Sequence, residues 1–469
     1  MKPISEQEIT HRIQLENPWW HSGKIPGSWH QMIPRAYLQN FMTLTKTHDP
    51  VRAVVLMGPR RVGKTILIHH AIQRLLDDGI DPKLICYISI DAPVYTGLGL
   101  EPLLRHYAKA RALTALDQTF VFFDEIQYLP NWERHLKKLV EDYPKAKFIA
   151  SGSAAAALKL KSNESGAGRF TDFQLPPLTF HEFLVLSKRE GLVKRSESWP
   201  FYVSDDLKAL NDEFVNYLNY GGYPEAITSS EVRADPERFI KTDIIEKVLL
   251  RDLPSLYGIA EIQELNRLFT MLAYNSGQEV SLDELSQGSG VAKNTIKRYL
   301  EYLKAAFLIR ELHRVDFNLK FFKRANFFKV YLTNPSMRAA LFGPVTTDHE
   351  FAGHLAETAI MSQLAHWDGP TDTYYGRWPK GEVDFITHDG TRALACAEVK
   401  WSNRAFERDA EIGQMLLFMK KNGIATGTVT TYDVVGKKEI NGLDIRFVPC
   451  SIFCYGIGKK AVERRTELA

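Results

Sequence analysis

The sequence predicts an α/β protein of several domains: a parallel-sheet domain first, a helical middle, and a second α/β domain near the C-terminus. Two observations carry this. From Val51 to about residue 180, short apolar runs alternate with amphipathic helices, and after about residue 345 the alternation returns. Strands apolar on both faces and separated by helices form parallel sheets covered on both sides.

Ala53 to Gly58 (AVVLMG) reads as a buried strand and TILIHHAIQRLL, from Thr65, as a helix. LICYISID (Leu84 to Asp91) is a second strand, LEPLLRHYAKARAL a helix, and TFVFFDE (Thr119 to Glu125) a third strand. WERHLKKLVEDYP is another helix, and KFIASGS (Lys147 to Ser153) a fourth strand. Residues up to about Pro50 are polar with scattered aromatics, notably Trp19 and Trp20 beside Pro18. From about 180 to 265 the pattern is mostly helical, with an aromatic, glycine-rich turn at Tyr220 to Pro224. Then SLDELSQGSG and AKNTIKRYLEYLKAAFLI, joined at Gly288-Ser289-Gly290, have the length and polarity of a helix-turn-helix. The C-terminal reading is a helix (HLAETAIMSQLAHW), strands around Tyr374 and Val383-Asp384-Phe385, a strand ALACAEVKW, a helix, and a strand near GTVTTY. The last dozen residues read as a solvated tail.

At 469 residues the chain is too long for one ordinary core and implies about three domains. With 45% hydrophobic and 25% charged residues, global disorder and coiled-coil architectures are excluded. Lys plus Arg number 59 against 56 Asp plus Glu, so the net charge of +3 excludes a uniformly basic nucleic-acid binder. Cys86, Cys396, Cys450 and Cys454 make no disulfide framework for this length. Cys450 and Cys454 have zinc-ligand spacing but no second Cys/His pair nearby, so no zinc site is expected. The N-terminus has no apolar core for a signal peptide, and no stretch approaches the ~18 apolar residues that span a bilayer. The expectation is a reduced, cytoplasmic protein with no membrane association.

Gly58-Pro59-Arg60-Arg61-Val62-Gly63-Lys64-Thr65 fits the phosphate-loop (P-loop, Walker A) pattern. The glycines allow a tight turn that points successive N–H groups at phosphates, and the following helix presents its positive end. Lys64 would reach the β- and γ-phosphates and Thr65 would ligate Mg²⁺. FVFFDEIQ supplies the partner: Asp124 and Glu125 end a strand, where open α/β sheets place ligands. Asp124 would hold Mg²⁺ through water, and Glu125 would polarise the water that attacks the γ-phosphate. Ser151, at the next strand tip, would sense the γ-phosphate or simply form a Ser-Gly turn. Arg169 and Arg251 are candidate transition-state or inter-subunit arginines, or surface ion-pair partners.

With NPWW, GPRRVGKT, FFDEIQYLPNW, ASGSAAA, GRF, LPPLTFHEFL, NYGGYPE, LLRDL, EVDF and AEVKWS in order, the chain resembles the bacterial and archaeal AAA-type ATP-binding proteins with a C-terminal domain of unknown function 4143. The resemblance implies an ATP-binding core, a winged-helix segment and a nuclease-like C-terminal fold. Asn334, in VYLTNPSMRAAL, stands where such proteins usually carry Asp.

Within the C-terminal part, Asp384 in GEVDF, then Glu398-Val399-Lys400, resembles the core layout of the PD-(D/E)XK nuclease superfamily. Two carboxylates on adjacent strands would bind a second divalent metal, Mg²⁺ or Mn²⁺, and Lys400 would orient or deprotonate the water. Glu357 on the preceding helix would add a carboxylate, and Gln414 on the following helix a polar group. The same fold also serves as a catalytically silent docking module. In the helix-turn-helix, Lys293, Asn294, Lys297 and Arg298 open the last helix, where a recognition helix meets DNA. Lys320, Lys323, Arg324 and Lys329, interleaved with Phe321, Phe322, Phe327 and Phe328, extend that basic character. The alternative is a winged helix that packs on the nucleotide domain.

The expected architecture is therefore a P-loop parallel-sheet ATPase domain (1–180), a helical lid (181–264), a winged helix-turn-helix (265–330), a restriction-endonuclease-like α/β domain (331–456) and a tail (457–469). The expected function is a Mg²⁺-dependent ATPase coupled to DNA processing or docking. Two alternatives are an ATP-gated DNA nuclease and a nucleotide-dependent switch that binds a protein partner, with oligomerisation open.

Overall fold

The computed structural model describes residues 5–152, 168–320, 327–367 and 371–468. Ser153 of the fourth strand, and Phe321, Phe322, Lys323 and Arg324 of the basic ribbon, lie outside the described residues. The chain divides into two compact units, which meet in the sequence between Pro176 and Pro177; residues 466–469 are grouped with the first.

The first unit is built on a five-stranded sheet in the order β2-β3-β4-β1-β5. Its strands are β1 (Ala53–Met57), β2 (Ile85–Ser89), β3 (Phe120–Asp124), β4 (Lys147–Gly152) and β5 (Phe170–Gln174). Every adjacent pair is parallel. All residues of β1, β3 and β4 are buried, as expected of strands covered on both faces. β5 has no such signal in the sequence: only Phe173 of its five residues is buried, and its neighbours are polar. The polar N-terminal segment is structural. The indoles of Trp19 and Trp20 both donate to the Ile85 carbonyl, at 3.1 and 2.8 Å, and Asn17 exchanges hydrogen bonds with the Tyr87 backbone. These contacts fasten β2 from outside the sheet.

The second unit carries a nine-stranded sheet, order β15-β16-β14-β13-β12-β11-β9-β10-β8, and a two-stranded ribbon of β6 (Lys194–Arg195) and β7 (Tyr202–Val203). The large sheet comprises β8 (Glu279–Ser281), β9 (Ile309–Val315), β10 (Phe327–Leu332), β11 (Asp372–Trp378), β12 (Gly381–His388), β13 (Ala393–Glu398), β14 (Thr426–Thr431), β15 (Gly436–Ile440) and β16 (Leu443–Pro449). β8, β9 and β10 belong to the helix-turn-helix segment, whose helices are Ile262–Tyr274, Leu282–Ser289 and Lys293–Ala305. Only Tyr375↔Arg314 and Gly376↔Val315 join β11 to β9 in parallel, yet this seam makes one sheet of the two segments. From Ala352 onward the order is helix (Ala352–Leu364), antiparallel β11-β12-β13, helix (Gly413–Asn422), then β14 parallel to β13.

Two sequence expectations need correction here. The expected tail (457–469) is helical as far as it is described: a helix runs from Cys450 to Leu468, and Ala461 and Val462 are buried. Lys329 is no solvated cation of a basic ribbon, being 2% exposed. All four cysteines are free and buried, and among the described residues no group of three or more His, Cys, Asp or Glu is arranged to hold a metal. No helix of the described residues is long and apolar enough to cross a membrane.

Candidate functional site

β1 delivers the chain to Gly58, where space is decisive. A Cβ there would stand 2.2 Å from the Leu175 carbonyl oxygen, so a larger residue would push against backbone. Gly63 caps the helix Lys64–Asp77 from the left-handed region, φ +91°. The Lys64 ammonium is buried and donates to the carbonyls of Gly58 (3.0 Å) and Pro59 (2.8 Å), so the loop closes around its own lysine. From behind, buried Arg35 donates to the carbonyls of Val62 (2.6 Å) and Pro176 (3.1 Å).

Asp124 ends β3 and is 1% exposed. It accepts from the Thr65 hydroxyl at 2.7 Å, from the Tyr87 hydroxyl at 2.9 Å and from Ser151 Oγ. Sheet order explains the set: β4 stands between β1 and β3, so its tip residue Ser151 lies between loop and carboxylate, while Tyr87 comes from β2 on the other side. Burial, then Asp124 itself, push the Tyr87 phenol pKa up, keeping it a neutral donor. Glu125 is half-buried in left-handed backbone, φ +54°, and accepts from Gln127 Nε2. Burial raises its carboxyl above the usual range, with Lys64 pulling the other way. Thr65 and Asp124 together offer hard oxygen donors suited to Mg²⁺.

The fold brings Gly58 to Thr65, Asp124, Glu125 and Ser151 to one place, and sequence signals point to each of them. They missed Arg35, which sits in a segment without periodicity, and Tyr87, whose hydroxyl in a buried strand needs a partner somewhere. Arg169 is far more exposed and pairs with Glu141 at 3.3 Å. Arg251 lies in the second unit, exposed on the π-helical run Val248–Asp252.

A second constellation lies wholly within the second unit, in a cavity of about 710 Å³. Glu357, Asp384, Glu398 and Lys400 all line it; Gln414 does not, its Oε1 instead accepting from the Trp378 indole at 3.1 Å. Lys400 Nζ donates to Glu398 Oε1 at 2.9 Å, and the Val399 N–H donates to Asp384 Oδ2 at 2.8 Å. Glu398 Oε2 is buried without a hydrogen-bond partner. Lys329 joins them from β10. Its ammonium is 3.0 Å from Glu357, 2.6 Å from Glu382 and 3.6 Å from Asp384, and lies 5.4 Å from the Tyr375 ring centre. Tyr331, also on β10, donates to Glu357 at 2.6 Å. Burial pushes Glu357 and Glu398 up, to about 7 and about 8. Burial alone would lower the Lys329 amine, but the carboxylates, Glu357 foremost, hold it well above its ordinary value. As built, the cluster does not fit a divalent ion, because an ammonium already occupies the carboxylate centre.

Lys293, Asn294, Lys297 and Arg298 are exposed along the start of the helix Lys293–Ala305, with Lys293 ion-paired to Asp283. Lys320 is exposed and Phe327 is 42% exposed, whereas Phe328 is buried.

Residues 51–184 match the family model described as an AAA domain, and residues 211–348 match a domain of unknown function (DUF8612), different from the one the sequence resemblance names. An uncharacterised protein of Haemophilus influenzae is 23% identical over 425 residues, covering 89% of this chain and 98% of its own. One from Methanocaldococcus jannaschii is 23% identical over 405 residues, covering 83% and 84%. One from Mycobacterium tuberculosis is 28% identical over 334 residues, covering 69% and 64%. Among solved structures, the ADP form of Aeropyrum pernix ORC2 aligns at 13% identity and TM-score 0.34, over 69% of this chain and 95% of that one. AMPPCP-bound DnaA from Aquifex aeolicus aligns at 13% identity and TM-score 0.27, over 60% and 89%. Likenesses this weak carry no functional information. Loop, sheet and family match agree on one point: the first unit carries a P-loop domain of the AAA type.

Proposed function

We propose that the chain is a Mg²⁺-dependent ATPase whose second unit is a docking module for DNA or protein. The observation that carries the first part is the convergence of Lys64, Thr65 and Asp124 at the mouth of the Gly58–Thr65 loop. In the form described, Lys64 is held by two loop carbonyls and Thr65 by Asp124. Phosphate oxygens would replace the carbonyls as acceptors for Lys64, and the loop N–H groups and helix end would take the remaining negative charge. Mg²⁺ bound between Thr65 and Asp124 would neutralise the developing charge on the phosphates. Ser151 and Tyr87 hold Asp124 in place as neutral donors. Glu125, made more basic by burial, is suited to accept a proton from the attacking water. Lys64→Ala should abolish nucleotide binding, and Glu125→Gln should bind ATP but retain it unhydrolysed. Equal ATPase rates in the wild type and both variants would refute this mechanism.

For the second unit, the order helix, three antiparallel strands, helix, parallel strand over 352–431 supports a restriction-endonuclease-like core. The order helix, strand, two helices, two strands over 262–332 supports a winged helix. Docking is favoured over cleavage by Lys329, whose ammonium fills the carboxylate centre that a hydrolytic metal would need. The exposed Lys293, Asn294, Lys297 and Arg298 give the docking surface a candidate DNA face.

A further inference from the structure

The acidic cavity of the second unit has a charge problem with an unusual solution. Glu357, Glu382, Asp384 and Glu398 are each mostly buried and face one space. Buried carboxylates must be paired, coordinated to a metal, or neutralised by protons. Here the pairing is internal. Arg377 reaches Glu382 at 2.6 Å and Lys400 reaches Glu398, both from the strands of the C-terminal segment or their ends. Lys329 comes from β10, outside that segment, and touches three of the four carboxylates with side-chain exposure of only 3%.

We infer that the Lys329 ammonium is the resident cation of this cluster and takes the place that a divalent metal would otherwise fill. Three points support it. An ammonium has three protons, and three carboxylates stand around this one. Oxygens that bind Mg²⁺ or Mn²⁺ must close to roughly 2.0–2.2 Å, which the ammonium between them prevents. Finally, Lys329 is covalently delivered: its strand pairs with β8 and β9, and Tyr331 two residues on donates to the same Glu357 oxygen, so no free ion competes on equal terms. The inference needs only the cluster, whatever the ancestry of the fold.

The test is Mn²⁺ uptake by the full chain without nucleotide, followed by the loss of the free-ion electron paramagnetic resonance signal. Wild type and Asp384→Asn should take up Mn²⁺ identically. Lys329→Met should gain one site at least tenfold tighter than any in the wild type, and Lys329→Met with Asp384→Asn should lose it. A wild-type site that Asp384→Asn abolishes overturns the inference, as does a folded Lys329→Met chain that gains no Asp384-dependent site. If Lys329→Met does not fold, the comparison of wild type with Asp384→Asn decides alone: identical uptake supports the resident lysine and a lost site refutes it.

Discussion

Arg35→Ala should weaken the phosphate loop from behind, through its bond to the Val62 carbonyl. Arg35 is 6% exposed, and its guanidinium donates to the Val62 and Pro176 carbonyls, at 2.6 and 3.1 Å. A hydrogen bond to a charged group contributes about 1.5–3 kcal/mol, and truncation leaves both carbonyls short of these donors. Two such bonds at the lower figure give about 3 kcal/mol. In a unit of 150–250 residues each kcal/mol shifts Tm by about 2–4 °C, so the first transition should fall by about 6–12 °C. Because Val62 lies inside the loop, Mg²⁺-ATP affinity should fall with it. Arg35→Lys, which cannot reproduce a fork to two carbonyls, should recover only part of both losses. The assay is a thermal melt paired with titration of a fluorescent ATP analogue. An Arg35→Ala chain with wild-type Tm and affinity would show that the loop holds its shape without this buttress.

Two further outcomes follow from other sites. His69 is buried under Trp29 and Tyr87, with Nδ1 2.8 Å from the Thr65 carbonyl, and burial lowers its pKa to about 4. Its contribution is complete above the ordinary value near 6.5 and is lost as pH falls through 4; about 2 kcal/mol should go between pH 7.5 and 5. Unfolding curves of His69→Phe should show a correspondingly smaller acid loss, and an unchanged pH dependence would argue against this burial. If the Lys293 face binds duplex DNA, affinity should fall with salt, and Lys293→Ala, Lys297→Ala and Arg298→Ala together should reduce the log–log slope by about 3. Binding that is insensitive to salt would exclude phosphate contacts there.

The first unit was largely legible because its strands are buried on both faces and its loop has a fixed spacing of glycines, lysine and threonine. The other parts of the unit have no pattern to betray them. β5 is an edge strand with one buried residue, and Arg35 acts on backbone carbonyls far along the chain from a segment without periodicity. In the second unit, Glu357, Asp384, Glu398 and Lys400, which the nuclease-like layout groups with Gln414, line one cavity, and Gln414 is not among its lining residues. By its basic and aromatic neighbours alone, Lys329 belongs to a basic ribbon. Its true surroundings come from residues 28 to 55 positions away, a relation no local pattern encodes.

The narrow parallel seam between β9 and β11 has a practical meaning for dissecting the molecule. A cut near residue 330 looks natural, since it falls between two segments with separate motifs. It would in fact sever β10 and strip β9 of its β11 neighbour, leaving raw edges prone to pairing with other chains. The same cut would leave an upstream fragment holding Lys329 without Glu357, Glu382 or Asp384, and a downstream fragment holding those acids without their lysine. Each half would then carry an uncompensated charge in what had been its interior. Residues 177–465 are better regarded as one indivisible piece, since Leu178, Phe180 and Phe214 share one core with Leu355, Phe385 and Tyr455, and fragments that respect this should stay soluble where those cut at the seam aggregate.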